Sequence, residues 1–186
     1  MNNQLSFISS PVAVNLESDS DQRYTPQKWI DVVVRVLGAI DLDPTADPNK
    51  RIPARWHITE SQNCLAIDWV SLSGGMIYLP KTIFMNPPYS NTAPFLARLT
   101  EYLSENPQAI AITLTKEGAM FNQGTQPYFR SHCRAVCLPE GRVSFLSPGG
   151  AMGAPNFDVI FGYWGNPRLL EKFKAEFKFY GWVLKA

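Results

Sequence analysis

Apolar and polar positions change their period several times along the chain, and each change marks a predicted element. Trp29, Val32, Val33, Val36 and Leu37 recur at helical spacing between Thr25-Pro26 and Gly38. This predicts a helix capped by Thr25, opened by proline and stopped by glycine. Ala39 to Asp43 is a short apolar-acidic run ended by Pro44, and it predicts a strand facing a proline-punctuated loop that continues to about Arg55. Cys64 to Trp69 repeats that theme, with a carboxylate and an indole at its end, and Thr82 to Met85 predicts a strand running into Asn86-Pro87-Pro88-Tyr89.

Helical spacing returns with Phe95, Leu96, Leu99, Tyr102 and Leu103 and stops near Asn106-Pro107. Ala109 to Thr115 is nearly continuous apolar sequence, the pattern of a strand covered on both faces, which implies parallel central strands. Ala135 to Leu138 predicts a further strand, Arg142 to Leu146 a hairpin arm, Asp158 to Trp164 another strand, Pro167 to Phe179 a helix and Trp182 to Leu184 a closing strand. Helices alternating with buried strands predict an α/β fold: a doubly wound, mostly parallel sheet with a late antiparallel strand pair. No repeat or compositional break divides the chain. Residues 1–21, rich in Asn, Ser and Asp without period, are expected to form a flexible leader, and 22–186 one domain.

Composition narrows the class. At 186 residues, 45% hydrophobic and 18% charged, the chain suits a globular core that needs no staples. The longest apolar runs are too short to span a bilayer and the N-terminus has no signal-peptide pattern, so a cytoplasmic protein is expected. Cys64, Cys133 and Cys137 are an odd set with only His57 and His132 for company, which argues for reduced, buried thiols and against a metal centre. The net charge of +1 marks no global polyanion partner. Locally, residues 1–90 carry 7 basic and 9 acidic side chains against 10 and 7 in 91–186. Lys116, Arg130 and Arg134 lie among polar and aromatic residues in Thr115 to Arg134, the expected nucleic-acid surface.

The chemistry is concentrated in Asn86-Pro87-Pro88-Tyr89. Two prolines stiffen the turn and remove two N–H groups, leaving acceptors outward. A conjugated amine such as the exocyclic nitrogen of adenine is a poor nucleophile because its lone pair is delocalised into the ring. If the Asn86 side-chain oxygen and the Pro87 carbonyl each take one of its hydrogens, the nitrogen moves towards tetrahedral geometry and its developing positive charge is stabilised. Tyr89 can stack on the ring and hold it in line with a methyl donor.

In order, Tyr24-Thr25-Pro26, Asp43-Pro44-Thr45-Ala46-Asp47-Pro48, Leu65-Ala66-Ile67-Asp68-Trp69, Asn86 to Ser90 and Gly141-Arg142-Val143-Ser144-Phe145 resemble the motifs of the small phage-type DNA N6-adenine methyltransferases, over roughly residues 23 to 165. The resemblance implies a Rossmann-like methyltransferase fold, S-adenosylmethionine as cofactor and DNA as partner, with no obligate protein partner or membrane evident. It implies that Asn86, Pro87, Pro88 and Tyr89 form the reacting site. Thr25 and Pro26 would meet the cofactor's carboxylate, Asp43 its amino end and Asp68 its adenine amine. Phe145 would join Tyr89 in stacking on a flipped base, with Lys116 also on the substrate side. The glycine-rich turn of wider methyltransferases is replaced by Thr45-Ala46-Asp47, and either Asp47 or Glu60 could bind the ribose. Methylation of a protein glutamine, or a silent module that binds cofactor or DNA without turnover, remain alternatives on sequence alone.

Overall fold

The structure, a computed structural model, describes residues 23–73, 76–147 and 150–185. The expected leader, 1–21, lies outside the described residues. Elements follow one another as α1 (Gln27–Leu37), β1 (Ile40–Ala46), β2 (Ala54–Thr59), β3 (Ser71–Ser73), β4 (Met76–Tyr78), β5 (Thr82–Met85), α2 (Thr92–Glu105), β6 (Ile110–Lys116), α3 (Gln126–His132), β7 (Cys133–Pro139), β8 (Phe145–Leu146), β9 (Met152–Gly153), β10 (Val159–Gly165), α4 (Leu170–Phe177) and β11 (Gly181–Lys185).

Seven strands form one sheet in the order β11-β7-β10-β6-β5-β1-β2. β2, β1, β5 and β6 pair in parallel, β10 pairs antiparallel with both β6 and β7, and β11 runs antiparallel to β7. Five strands therefore point one way, and β10 and β11 oppose them. Helices cover both faces. Trp29, Val32, Val33 and Val36 of α1 and Phe173 and Phe177 of α4 share a core with Ile110, Ile112 and Leu114 of β6. Phe95, Leu96 and Leu99 of α2 and Phe129 of α3 share the opposite core with Ala111 and Trp164. The continuous apolar run in β6 thus feeds two cores, as a strand covered on both faces must.

The polar residues of β1 fix its neighbour. Asp41, 5% exposed, accepts from the N–H groups of Lys81 (2.9 Å) and Thr82 (3.1 Å), while its own N–H donates to the Thr82 hydroxyl. These bonds lock the start of β5 beside β1, so the carboxyl ends of the two strands finish side by side. That point is where the strand order reverses, the place at which open α/β sheets bind ligands.

Three local expectations change. β1 runs through Pro44 to Ala46, because a register shift between Asp43 and Ala46 absorbs the residue that cannot donate to the ladder. Cys64 to Trp69 is a turn and no strand: Asn63 takes a left-handed conformation (φ 53°), its side-chain oxygen accepts from the Leu65 N–H, and the Trp69 indole donates to the Cys64 carbonyl. Thr25 does not cap α1, whose cap position is Pro26 with no side-chain hydrogen bond. Its hydroxyl is engaged elsewhere. Gly38 ends α1 as expected, at φ 81° with its N–H on the Val34 carbonyl.

Candidate active site

Asn86-Pro87-Pro88-Tyr89 leaves the carboxyl end of β5 as a partition between two hollows. On one side lies a cavity of about 230 Å³ whose wall includes Thr25, Asp43, Thr45, Glu60, Asn86 and Pro88. On the other lies a groove of about 550 Å³ whose wall includes Tyr89, Lys116, Asn122, Phe157 and Asp158. The groove borders the carboxyl end of β6 and the start of β10, because in an antiparallel neighbour the two meet: Lys116 is paired with Val159.

Hydrogen bonds set the pose of Asn86. Its backbone N–H donates to the Thr45 hydroxyl oxygen (3.0 Å), and its side-chain Nδ2 donates to the Arg23 carbonyl (3.0 Å) and to Thr25 Oγ1 (3.2 Å). A carbonyl can only accept, so the amide must present its NH2 there and its oxygen away. That oxygen, Oδ1, is buried and has no hydrogen-bond partner among the described residues. A buried acceptor left open costs roughly 1–3 kcal/mol, and such an atom marks a place completed by something else. In the same turn, Pro88 O is committed to the Asn91 N–H and the Thr92 hydroxyl at the start of α2, whereas Pro87 O accepts none among the described residues. Two acceptors next to each other in the sequence are thus left unused by the described residues.

Asp43 is 3% exposed, and the only hydrogen-bond partner of its carboxylate among the described residues is Thr45, through the N–H (3.0 Å) and the hydroxyl (3.3 Å). Burial pushes its carboxyl up to about 7; the Thr45 bonds oppose the rise and nearby Asp47 adds to it. No cation among the described residues balances it, in contrast to Asp47, which holds Arg51 at 2.8 Å. Cys64 also lines this cavity, and burial pushes its thiol up to about 12, so it is no nucleophile. The other two cysteines are buried in the cores.

The groove side is built from rings and cations. Tyr89 meets Phe157 edge-on at 5.1 Å and Phe145 at 5.9 Å. Lys116 Nζ lies 4.4 Å and the Arg23 guanidinium 5.5 Å from the centre of the Phe157 ring.

The structure therefore brings Thr25, Asp43, Asn86 and Pro88 to one cavity, and Tyr89 and Lys116 to the adjoining groove. Phe145, 2% exposed, packs edge-on against Tyr89 and lines neither hollow, and Pro26 and Pro87 line neither. Asp68 stands apart: its side chain is 89% exposed and faces Arg98 at 3.6 Å. The turn that replaces the expected strand sends it outward and leaves Asn63 on the cavity wall. Sequence reasoning passed over Thr45, the Arg23 carbonyl and Phe157. Only Phe157 carried a signal: it precedes a strand whose start, in an antiparallel neighbour, lies at the functional end of the sheet.

A sheet of this order, with one antiparallel strand between β6 and β7 and an Asn-Pro-Pro-Tyr turn at the reversal point, defines the class as a Rossmann-like methyltransferase. The chain belongs to the DNA N-6-adenine-methyltransferase (Dam) family, whose family model matches residues 13–155. No curated protein matches it. Among the described residues no helix is long and apolar enough to cross a membrane, and no group of three or more His, Cys, Asp and Glu could hold a metal ion.

Proposed function

We propose that the protein transfers the methyl group of S-adenosylmethionine to the exocyclic N6 of adenine in DNA, at a site formed by Asn86, Pro87, Pro88 and Tyr89. The observation that carries this reading is the open buried acceptor, Asn86 Oδ1, in the same turn as a Pro87 carbonyl that accepts no hydrogen bond among the described residues. An exocyclic amine has two hydrogens to give, and a stiff turn offering two acceptors suits it.

The cavity residues fit the cofactor. Asp43 is a buried carboxylate with no cationic partner among the described residues, and an ammonium would supply the missing charge. Thr25 offers a hydroxyl for a carboxylate, and Ile52 and Phe95 offer apolar surface for a nucleobase. The exposed Glu60, at the end of β2, has no hydrogen bond or ion pair from its carboxylate among the described residues, while Asp47 is occupied by Arg51. Glu60 is therefore the better acceptor for ribose hydroxyls. Asn63 stands on the wall where Asp68 was expected to act.

Thr25 and Asp43 would hold the amino-acid end of the cofactor, which would supply an electrophilic methyl group on a sulfonium. Asn86 and Pro87 draw on both N–H bonds of N6, freeing its lone pair for the new C–N bond. Neither amide oxygen is basic enough to keep a proton, so the surplus hydrogen of the methylated amine passes to water. Tyr89, packed edge-on against Phe157, gives the flipped base an aromatic surface to stack on, and Lys116 meets the phosphate backbone.

Mapping methylated adenines in DNA from cells that express the protein tests this reading directly. N6-methyladenine in a defined sequence context is expected. An Asn86→Ala variant should lower transfer on the order of 10²–10³-fold, as loss of one preorganised polar contact to developing charge does. Label appearing in protein and not in DNA would replace the reading with glutamine methylation.

A further inference from the structure

We propose that Asn86 is held in its acceptor-outward pose by Thr25, which receives the carboxylate of the cofactor, and by Thr45, which is bonded to the Asp43 carboxylate that receives its ammonium, so that cofactor and adenine binding are coupled through two single hydroxyls. This rests on the reading of the site given above. The hydroxyls belong to Thr25, which holds the Asn86 side chain, and Thr45, which holds its backbone.

On the side-chain relay, Thr25 Oγ1 accepts from Asn86 Nδ2, so its own proton must point elsewhere. No acceptor for that proton is present among the described residues, although Thr25 is only 8% exposed and lies on the cavity wall. A carboxylate in the cavity is the acceptor that such a hydroxyl lacks. Once the hydroxyl donates to an anion, its oxygen becomes the stronger acceptor, and its grip on Nδ2 tightens. Nδ2 has a second anchor in the Arg23 carbonyl, so rotating the amide would break both bonds.

The backbone relay has the same form. Thr45 Oγ1 accepts from the Asn86 N–H and donates to Asp43 Oδ1. An ammonium beside Asp43 fixes its negative charge, which makes the Thr45 bond charge-assisted and turns the hydroxyl into a better acceptor for Asn86. Each end of a zwitterion is thus one hydroxyl away from the same residue. By linkage, whatever cofactor binding does for the amine acceptor, adenine binding does in return for the cofactor.

Two cofactor products separate this coupling from ordinary crowding. S-adenosylhomocysteine keeps the amino-acid end, and 5′-methylthioadenosine lacks it. The affinity of the wild-type protein for each is measured by calorimetry, with and without a saturating duplex that carries the adenine identified by mapping. The duplex is expected to tighten S-adenosylhomocysteine on the order of tenfold and methylthioadenosine hardly at all. Equal tightening of both, or of neither, overturns the coupling and leaves the transfer reading intact. Failure to find any methylated adenine sinks the transfer reading itself. Thr25→Val should cut the duplex effect on S-adenosylhomocysteine to the part carried by Thr45, and Thr25→Ser should keep it whole. A Thr25→Val protein that binds S-adenosylhomocysteine more weakly but retains the full duplex effect would reduce Thr25 to a ligand contact alone.

Discussion

The two hollows on either side of the Asn86 turn are built on opposite plans. The cavity is wired: Asp43, Thr45, Thr25 and Asn86 are tied by hydrogen bonds that run from the end of β1 to the turn after β5. The groove is padded: Tyr89, Phe157 and Lys116 meet by ring edges and a cation over a ring face, contacts that tolerate sliding. The difference suits ligands of different kinds. A small zwitterion with fixed charges is best met by fixed polar groups, whereas a base swung out of a duplex arrives on a flexible tether and is best met by flat surfaces.

The sharpest way to break this contrast is to strip a plane from the groove. Phe157→Leu keeps apolar volume but removes the ring beside Tyr89, and a lost stacking contact of roughly 1–3 kcal/mol should lower kcat/KM for DNA about tenfold to a hundredfold. Cofactor-product affinity in the absence of DNA should not change. A matching loss there would mean that the two hollows are not separate plans.

The wired side makes a pH prediction of the opposite sign to that of most carboxylates. Asp43 has its ordinary value near 3.8 when unfolded and about 7 when folded, so the folded state holds the proton more tightly. Its contribution to stability is full below the unfolded value, falls as pH rises from about 4 to about 7, and stays lost above. The loss in the unliganded protein is on the order of a few kcal/mol. Asp43→Asn should remove this component and raise the melting temperature at pH 8, while weakening S-adenosylhomocysteine. Thermal melts from pH 5 to 8, with and without that ligand, measure both effects. An Asp43→Asn protein whose stability still falls with the wild-type slope would show that the carboxyl ionises at little cost.

Lys116→Ala gives the smallest effect. One phosphate contact fewer should lower DNA affinity a few-fold at physiological salt and flatten the slope of log affinity against log salt by about one. An unchanged slope would place Lys116 as a support for Phe157 and not as a backbone contact.

How much of this was legible in the sequence follows the same division. The strand that ends in Asn86-Pro87-Pro88-Tyr89, the buried β6 and α1 up to Gly38 could be read because period and turn chemistry are local. β2 was hidden: it is an edge strand in which only Ile58 is buried, so its apolar pattern is too thin to announce it. Asp68 was misleading because the sequence Leu65 to Trp69 has strand composition, while the deciding event is the left-handed Asn63 just before it. Thr25 had the chemistry of a helix cap, and only the approach of Asn86, 61 residues away, diverts its hydroxyl. Thr45 owes its role to a strand neighbour that no single-sequence pattern names, and Phe157 was marked only by its place before a strand whose direction the sequence leaves open.

The placement of β10 between β6 and β7 also governs how the sheet is completed during synthesis. β7 is made earlier, yet its pairing partners in the sheet are β10 and β11, so nothing joins it to β6 until residues 159–165 have emerged. Up to that moment β6 and β7 each present an open, apolar edge, the kind of surface that captures other chains. β10 acts as a zip that closes both edges in one step and brings Phe157 to the groove as it does so. A nascent chain halted before β10 would keep the cavity residues in its sequence but lack both the closed sheet and the far wall of the groove.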